Sequence, residues 1–256
     1  MRQPLLSLAL ILGGFAIAPQ GARAAEVTVF AAASLSDALV AIARRYEPAS
    51  GDRIRFNFGA SSMLARQIRE GAPADVFFSA DEAKMSDLAK EGMIDPATRA
   101  TLLSNTLVIV TRIDADISIA RPLDLLLASV RRLAIAEPDT VPAGIYAREY
   151  LQKIGLWKQL APKLLPAENV RSALAAVVAG NADAGIVYKT DSLISKEVRV
   201  VCEVPASEGP RISYPIAILS GSRHPAAAAA WVNHLSSPEA RAVFSRFGFL
   251  PPGHRK

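Results

Sequence analysis

Apolar and polar residues along the chain form two kinds of pattern that take turns. The segments EVTVFAAAS, RIRFNFG and ADVFFSAD are apolar or alternating runs that predict strands. The stretch after the first of them has a helical period and is followed by Gly51. Its shared apolar face comprises Leu35, Leu39, Ile42 and Tyr46.

The same two patterns continue to the end of the chain. Further strands are predicted in NTLVIVTR, VRRLAIAEP, NADAGIVYK and RISYPIAILSGS, and helices over 144–154, 170–179, 225–235 and 238–247. Strands that alternate with helices predict an α/β fold made of βαβ units around parallel sheet. The chain has no internal repeat, low-complexity segment or long linker, so we expect two lobes joined by crossing strands.

The first 24 residues have the pattern of a cleaved secretory signal. Arg2 supplies the basic start, an apolar run extends from Leu5 to Ala18, and Ala22, Arg23 and Ala24 form a small-residue cleavage region. The apolar run is too short for a stable membrane anchor, and no Cys follows that would carry a lipid. We therefore expect a soluble periplasmic protein without stable membrane insertion.

Composition and charge exclude several function classes. The 256 residues carry a net charge of +5, but basic and acidic residues are interleaved, so nucleic-acid binding is not expected. Cys202 is the single cysteine, which rules out an internal disulfide. The histidines, His224, His234 and His254, lie near the C-terminus, and no G-x-S-x-G, metal-ligand or P-loop motif occurs. We therefore expect a binding protein rather than an enzyme.

Small, neutral residues begin several of the predicted helices. The segment SLSD at Ser34 has the form of a capping box with Asp37. The other helix starts carry Ser61 with Ser62, Pro142 with Ala143, and Asn169 before Val170. Helix N-termini have unpaired amides and a partial positive charge, so these positions are candidates for binding an anion. Taken alone, each of them is more often an ordinary cap or a packed core residue than a ligand contact.

Several segments, taken in order, resemble one known family. They are VFAAASLSDAL, ASSMLARQIREGAPADVFFSAD, VPAGIYAREYLQKIGLW, PAENVRSALAAV and GIVYKTDS. Over about residues 26–250 the chain resembles the periplasmic molybdate-binding proteins of ABC transporters. The resemblance implies a type II periplasmic binding protein, with two α/β lobes, a hinge and a ligand cleft. The lobes would comprise 25–104 with 212–256, and 105–211.

The resemblance also implies a set of ligand contacts. These are Ser34, Ser61, Ala143, Val170 and Tyr188, with Ser62 as a second candidate in the serine cluster. The implied ligand is molybdate or tungstate, bound as an oxyanion without a cofactor or a direct metal ligand from a side chain. The implied partner is an inner-membrane ABC permease, and the protein is expected to be a monomer. A binding protein for another tetrahedral oxyanion, such as sulfate or thiosulfate, remains the alternative.

Overall fold

The computed structural model describes residues 24–253. The predicted export signal, apart from Ala24, lies outside the described residues, and so does His254. Within residues 24–253, no helix has the length and apolar composition needed to cross a membrane.

Ten strands and nine α-helices alternate over residues 24–253. The strands are β1 (Glu26–Ala32), β2 (Arg53–Gly59), β3 (Val76–Phe78), β4 (Ala100–Leu103), β5 (Leu107–Arg112), β6 (Leu133–Ala136), β7 (Leu164–Ala167), β8 (Ala184–Tyr188), β9 (Val198–Glu203) and β10 (Tyr214–Ile218). The helices are α1 (Ser36–Ser50), α2 (Ser61–Arg69), α3 (Glu82–Lys90), α4 (Pro142–Lys153), α5 (Trp157–Leu160), α6 (Val170–Val178), α7 (Lys189–Leu193), α8 (Pro225–Leu235) and α9 (Pro238–Arg246). A 3-10 turn, Ala33–Leu35, joins β1 to α1.

The strands form two five-stranded sheets, which define two lobes. Lobe I contains the sheet with the order β2-β1-β3-β10-β4, and lobe II contains the sheet β7-β6-β8-β5-β9. The chain crosses between the lobes after β4 and again before β10. The predicted two-lobed α/β class is confirmed, while the end residues assigned to each lobe stay a prediction.

Each sheet is mixed, so the predicted parallel pairing is present but accounts for only part of each sheet. β1 is parallel to β2 and β3, and β6 is parallel to β7 and β8. In contrast, β10 is antiparallel to β3 and β4, and β5 is antiparallel to β8 and β9. β5 and β10 are the first strands after each crossing between lobes. No helical crossover connects them to their neighbours in the way that parallel pairing requires.

The predicted strands and helices are all present, and the elements that were not predicted lack a clear local pattern. The helices predicted over 144–154 and 170–179 are α4 and α6, with ends shifted by at most two residues. β4, β7 and the short helices α5 and α7 were not predicted. β4 is half exposed, and β7 has the sequence LLPA with partly exposed residues, so neither has a clear apolar alternation.

Candidate anion site

A small cavity lies between the lobes, where loops leave the strands and helices begin. Its volume is about 20 Å³, and a single water molecule requires roughly 10–15 Å³ on the same scale. This arrangement of the lobes therefore admits a compact inorganic ion and excludes a sugar or an amino acid.

The cavity brings together five of the residues singled out in the sequence. Ser34 and Ser61 line it from lobe I, and Ala143, Val170 and Tyr188 line it from lobe II. Ser62 is not among the lining residues. All thirteen lining residues are neutral, and the others are Ala32, Ala33, Gly59, Ala60, Ala80, Val141, Pro142 and Asn169. Any charge on a ligand here must be balanced by dipoles rather than by a lining cation.

Three helices direct their N-termini at this cavity. α2, α4 and α6 have no acidic residue in the first turn. In contrast, α1, α3 and α9 carry Asp37, Glu82 and Glu239 there. An acidic side chain in the first turn would occupy the positive end of the helix dipole. Its absence from the first turns of α2, α4 and α6 keeps their N-termini available to an external anion.

The first turns of α4 and α6 leave particular amides free. In α6, Asn169 Oδ1 accepts from the amides of Arg171 at 2.9 Å and Ser172 at 3.0 Å, which leaves the Val170 amide at the cavity. In α4, Pro142 has no N–H, so Ala143 supplies the first amide.

Close packing fixes the position of the α4 N-terminus. A side chain on Gly144 would collide with the carbonyl oxygens of Ala136 and Glu137 at the end of β6. Only glycine permits α4 to approach the end of β6 this closely. The close contact places the Ala143 amide at the cavity.

The Ser34 hydroxyl does not cap α1, so the predicted capping box was wrong. Ser34 lies in the 3-10 turn, α1 begins only at Ser36, and no side chain caps its N-terminus. Instead, Ser34 Oγ lies 3.1 Å from Tyr214 Oη. The 3-10 turn shifts the helix start by two residues, which places Ser34 over the cavity rather than beside the first amides.

The Ser61 hydroxyl is oriented by a backbone group of the neighbouring strand end. Ala80 N–H donates to Ser61 Oγ at 2.9 Å, and Ser61 is almost fully buried. Because an N–H can only donate, the serine oxygen accepts in this bond. Its own proton is then left to point into the cavity.

Tyr188 presents a buried hydroxyl that has no hydrogen-bond partner among the described residues. Its side chain is 1 % exposed. Burial raises the pKa of the Tyr188 hydroxyl well above its ordinary value, so it keeps its proton and remains a donor. An unpartnered buried hydroxyl is costly, and a ligand oxygen in the cavity would satisfy it.

Arg171 lies beside the cavity but is committed to two carboxylates. Its Nη2 is 2.8 Å from Asp37 Oδ2, and its Nε is 2.5 Å from Asp191 Oδ1. Asp191 is fully buried, and this desolvation raises its pKa to about 6, although Arg171 opposes the shift. The guanidinium is therefore balanced within the protein, and Arg171 is not among the residues that line the cavity.

Sequence reasoning missed the residues that orient the lining groups. These are Asn105, Tyr214, Ala80, Arg171 and Asp191. Tyr214 has the sequence signature of a strand residue, and Asn105 that of a loop residue. Tyr214 contacts Ser34 and Asn105, which lie 180 and 109 positions away in the chain, so no local pattern could reveal these contacts.

The fold and the cavity define a two-lobed solute-binding protein. The sequence profile of the bacterial extracellular solute-binding proteins matches residues 27–250. The chain belongs to that family.

The chain is similar to one relative by sequence and to two solved structures by fold. The relative, the molybdate-binding protein ModA of Escherichia coli K12, is 42% identical over 247 residues, which are 95% of this chain and 94% of the relative. The periplasmic molybdate-binding protein of Azotobacter vinelandii has a TM-score of 0.80 at 24% identity, over 88% of this chain and 99% of that chain.

The second solved structure is a sulfate-binding protein. SubI of Mycobacterium tuberculosis has a TM-score of 0.78 at 22% identity, over 89% of this chain and 87% of that chain. At such identities the likeness shows the fold alone. Because proteins named for molybdate and for sulfate share this fold, the choice of ligand depends on the site and on the sequence relatives.

Proposed function

We propose that the protein captures molybdate, and also tungstate, between its two lobes and delivers it to an ABC transporter. The observation that carries the proposal is the convergence of three uncapped or partly free helix N-termini and three hydroxyls on one ion-sized neutral cavity. The 42% identity with a relative named for molybdate binding supports this ligand over sulfate or thiosulfate.

The proposed contacts are neutral donors from both lobes. The hydroxyls of Ser34, Ser61 and Tyr188 would donate to ligand oxygens. Backbone amides would add further bonds from Ser34, Ser61, Ala143 and Val170. A hydrogen bond to a charged group contributes roughly 1.5–3 kcal/mol, so several such bonds can hold a dianion without Lys or Arg. We assign the serine contact to Ser61, because Ser62 does not line the cavity.

Fixed neutral donors select a ligand by size and by protonation. Amides and hydroxyls positioned for long metal–oxygen bonds fit molybdate and tungstate and leave gaps around the shorter bonds of sulfate. An anion that retains a proton, such as hydrogen phosphate, would direct an O–H at a donor, which is unfavourable. A lysine contact would lack both forms of discrimination.

The division of the contacts between lobes provides the signal for transport. A ligand that touches Ser34 and Ser61 in lobe I and Ala143 in lobe II favours the closed arrangement. An inner-membrane permease would recognise that arrangement. In this proposal residues 1–24 direct export to the periplasm, the mature protein acts as a monomer, and it carries out no catalysis.

Titration calorimetry of the purified mature protein with several oxyanions tests the proposal. We expect molybdate and tungstate to bind tightly and sulfate and hydrogen phosphate to bind at least about tenfold more weakly. Tighter binding of sulfate than of molybdate would replace the proposed ligand with the alternative.

Two adjacent serines provide a matched pair of variants for the same titration. Ser61→Ala should weaken molybdate binding by about tenfold or more, because it removes one charge-assisted bond. Ser62→Ala should leave the affinity unchanged. A loss confined to Ser62→Ala would move the contact to that residue.

A further inference from the structure

A series of buried, hydrogen-bonded side chains extends from the candidate site to Asn105, which lies where the polypeptide crosses between the lobes. Ser34 Oγ lies 3.1 Å from Tyr214 Oη, and Asn105 Nδ2 donates to Tyr214 Oη at 3.1 Å. Asn105 Nδ2 also donates to Thr190 Oγ1 at 2.9 Å. All four residues are buried. We call Asn105, Tyr214 and Ser34 the relay.

A single backbone group determines the direction of every bond in the relay. Thr106 N–H donates to Asn105 Oδ1 at 2.9 Å, and an N–H cannot accept, so the amide nitrogen of Asn105 must face Tyr214. That nitrogen can only donate, so Tyr214 Oη accepts from it. The proton of Tyr214 is then left for Ser34 Oγ, its remaining partner among the described residues.

Ser34 thus receives a hydrogen bond from the protein and has one proton to give. Among residues 24–253 that proton has no acceptor, and Ser34 lines the cavity. Ser61 Oγ likewise accepts a hydrogen bond from Ala80 N–H, so its own proton is also left for a ligand. Both serines therefore face a ligand as donors.

We propose that Asn105 and Tyr214 are specificity-determining positioning residues, which hold Ser34 as a donor so that the site accepts only oxyanions whose oxygens carry no proton. The inference rests on the proposed function and deepens it. If a ligand directed an O–H at Ser34, the serine proton would lose its only acceptor and remain buried without a partner. Through the relay, the fixed orientation of the Asn105 amide allows the site to discriminate between anions of equal charge that differ by a proton.

Sulfate and hydrogen phosphate isolate this effect, because at mildly alkaline pH they have similar size and equal charge but differ by one proton. The informative variant is Asn105→Asp. A carboxylate at position 105 cannot donate, so Tyr214 would donate to it, and Tyr214 Oη could accept from Ser34. Ser34 would then be free to accept a proton from the ligand. Three donors, from Thr106, Thr190 and Tyr214, favour the ionised carboxylate.

The measured quantity is the ratio of the dissociation constants for hydrogen phosphate and sulfate, obtained by competition with molybdate. Asn105→Asp should lower this ratio by about tenfold relative to wild type. The double variant Asn105→Asp/Tyr214→Phe keeps the added charge but breaks the relay, so its ratio should return to the wild-type value. An unchanged ratio in Asn105→Asp, or an equal change in the double variant, overturns the inference.

A second measurement covers the case in which Asn105→Asp does not fold. Tyr214→Phe removes the donor to Ser34 and should weaken molybdate binding several-fold, with a smaller loss when Ser34 is already alanine. Tyr150→Phe, which removes a hydroxyl from a buried ring in α4, is the matched control. Equal affinities of Tyr214→Phe and Tyr150→Phe overturn the inference.

The two proposals can fail separately. Absence of molybdate binding by the wild-type protein overturns the proposed function and the inference with it. If Asn105→Asp binds molybdate and its ratio of dissociation constants for hydrogen phosphate and sulfate is unchanged, the inference alone is overturned.

Discussion

Arg171 of lobe II and Asp37 of lobe I form an ion pair across the cleft, with Nη2 and Oδ2 2.8 Å apart. The same Nη2 donates to the Ser34 carbonyl oxygen at 3.4 Å. Arg171 is held from its own lobe by Asp191, so it meets Asp37 with little freedom. The pair connects α6 to the start of α1 beside the candidate site, and it exists only when the lobes are close together.

Asp37→Asn should speed the dissociation of molybdate. The pair is partly exposed, with side-chain exposures of 22% for Arg171 and 43% for Asp37. Solvent therefore screens it, and its loss should raise the dissociation rate only about two- to fivefold at low salt. Stopped-flow displacement of molybdate by excess tungstate, followed by intrinsic fluorescence, would measure the rate.

An ion pair within lobe I provides the control for this variant. Arg45 lies 3.5 Å from Glu239, and Glu239→Gln should leave the dissociation rate unchanged. A slower rate in Asp37→Asn would mean that the carboxylate acts by repelling the bound anion rather than by joining the lobes.

The start of α4 can be tested with a matched helix in the same chain. α4 and α8 both begin with Pro followed by Ala and have no acidic residue in the first turn. Ala143 is buried at the cavity, whereas Ala226 is exposed. Ala143→Asp would place a carboxylate beside the amides proposed to bind the ligand, so molybdate binding should be lost. Titration calorimetry would measure this loss.

Ala226→Asp adds the same charge at the same helix position and should not change the affinity. Circular dichroism would establish that both variants are folded. Retained binding by a folded Ala143→Asp protein would remove the α4 N-terminus from the site.

The sequence predicted the features of the structure that depend on neighbouring residues and missed those that depend on distant ones. The apolar periods predicted the two-lobed α/β class and the helix beginning near Ala143, because both depend on residues close together in the chain. The capping role of the Ser34 hydroxyl was mispredicted, because SLSD satisfies the local requirements of a capping box. Its actual partner, Tyr214, is 180 positions away, and local spacing contains no information about that contact.

The local sequence pattern also could not predict whether a strand is parallel or antiparallel to its neighbours. β5 has a strongly apolar sequence, which is typical of a buried strand in either orientation. Its antiparallel pairing with β8 follows from the route of the chain between lobes. The contacts of Arg171 were not predicted for a related reason. Asp191 meets Arg171 only when lobe II has folded, and Asp37 meets it only when the two lobes are close together.

Tyr188→Phe should separate ligand binding from stability. The hydroxyl has no partner among the described residues, so its removal costs the ligand-free protein no internal hydrogen bond and should leave Tm unchanged or slightly higher. Molybdate binding should weaken by about tenfold or more, because a charge-assisted bond is lost. Differential scanning fluorimetry with and without molybdate would report both effects.

Tyr150→Phe again serves as the control, since it removes the hydroxyl of another buried tyrosine that does not line the cavity. A large fall in Tm with unchanged molybdate affinity would show that the Tyr188 hydroxyl stabilises the fold and does not contact the ligand.

Asp191 should make the free energy of unfolding fall as the pH rises. Burial raises its pKa from 3.8 in the unfolded chain to about 6 in the folded protein, so the folded state binds the proton more tightly. The stabilisation is fully present below pH 3.8 and is lost as the pH rises through about 6. The groups that act on this carboxyl include Arg171, Asp37, Tyr188 and Tyr214.

Other carboxyl groups titrate in the same range, so the informative quantity is the difference between wild type and Asp191→Asn. Urea unfolding at a series of pH values should show that the wild-type advantage decreases as the pH rises. Asp114→Asn provides a control of opposite sign. The hydrogen bond from Arg112 lowers the pKa of Asp114, so there the wild-type advantage should increase with pH. A wild-type advantage over Asp191→Asn that grew with pH would show that Arg171 outweighs the effect of burial on Asp191.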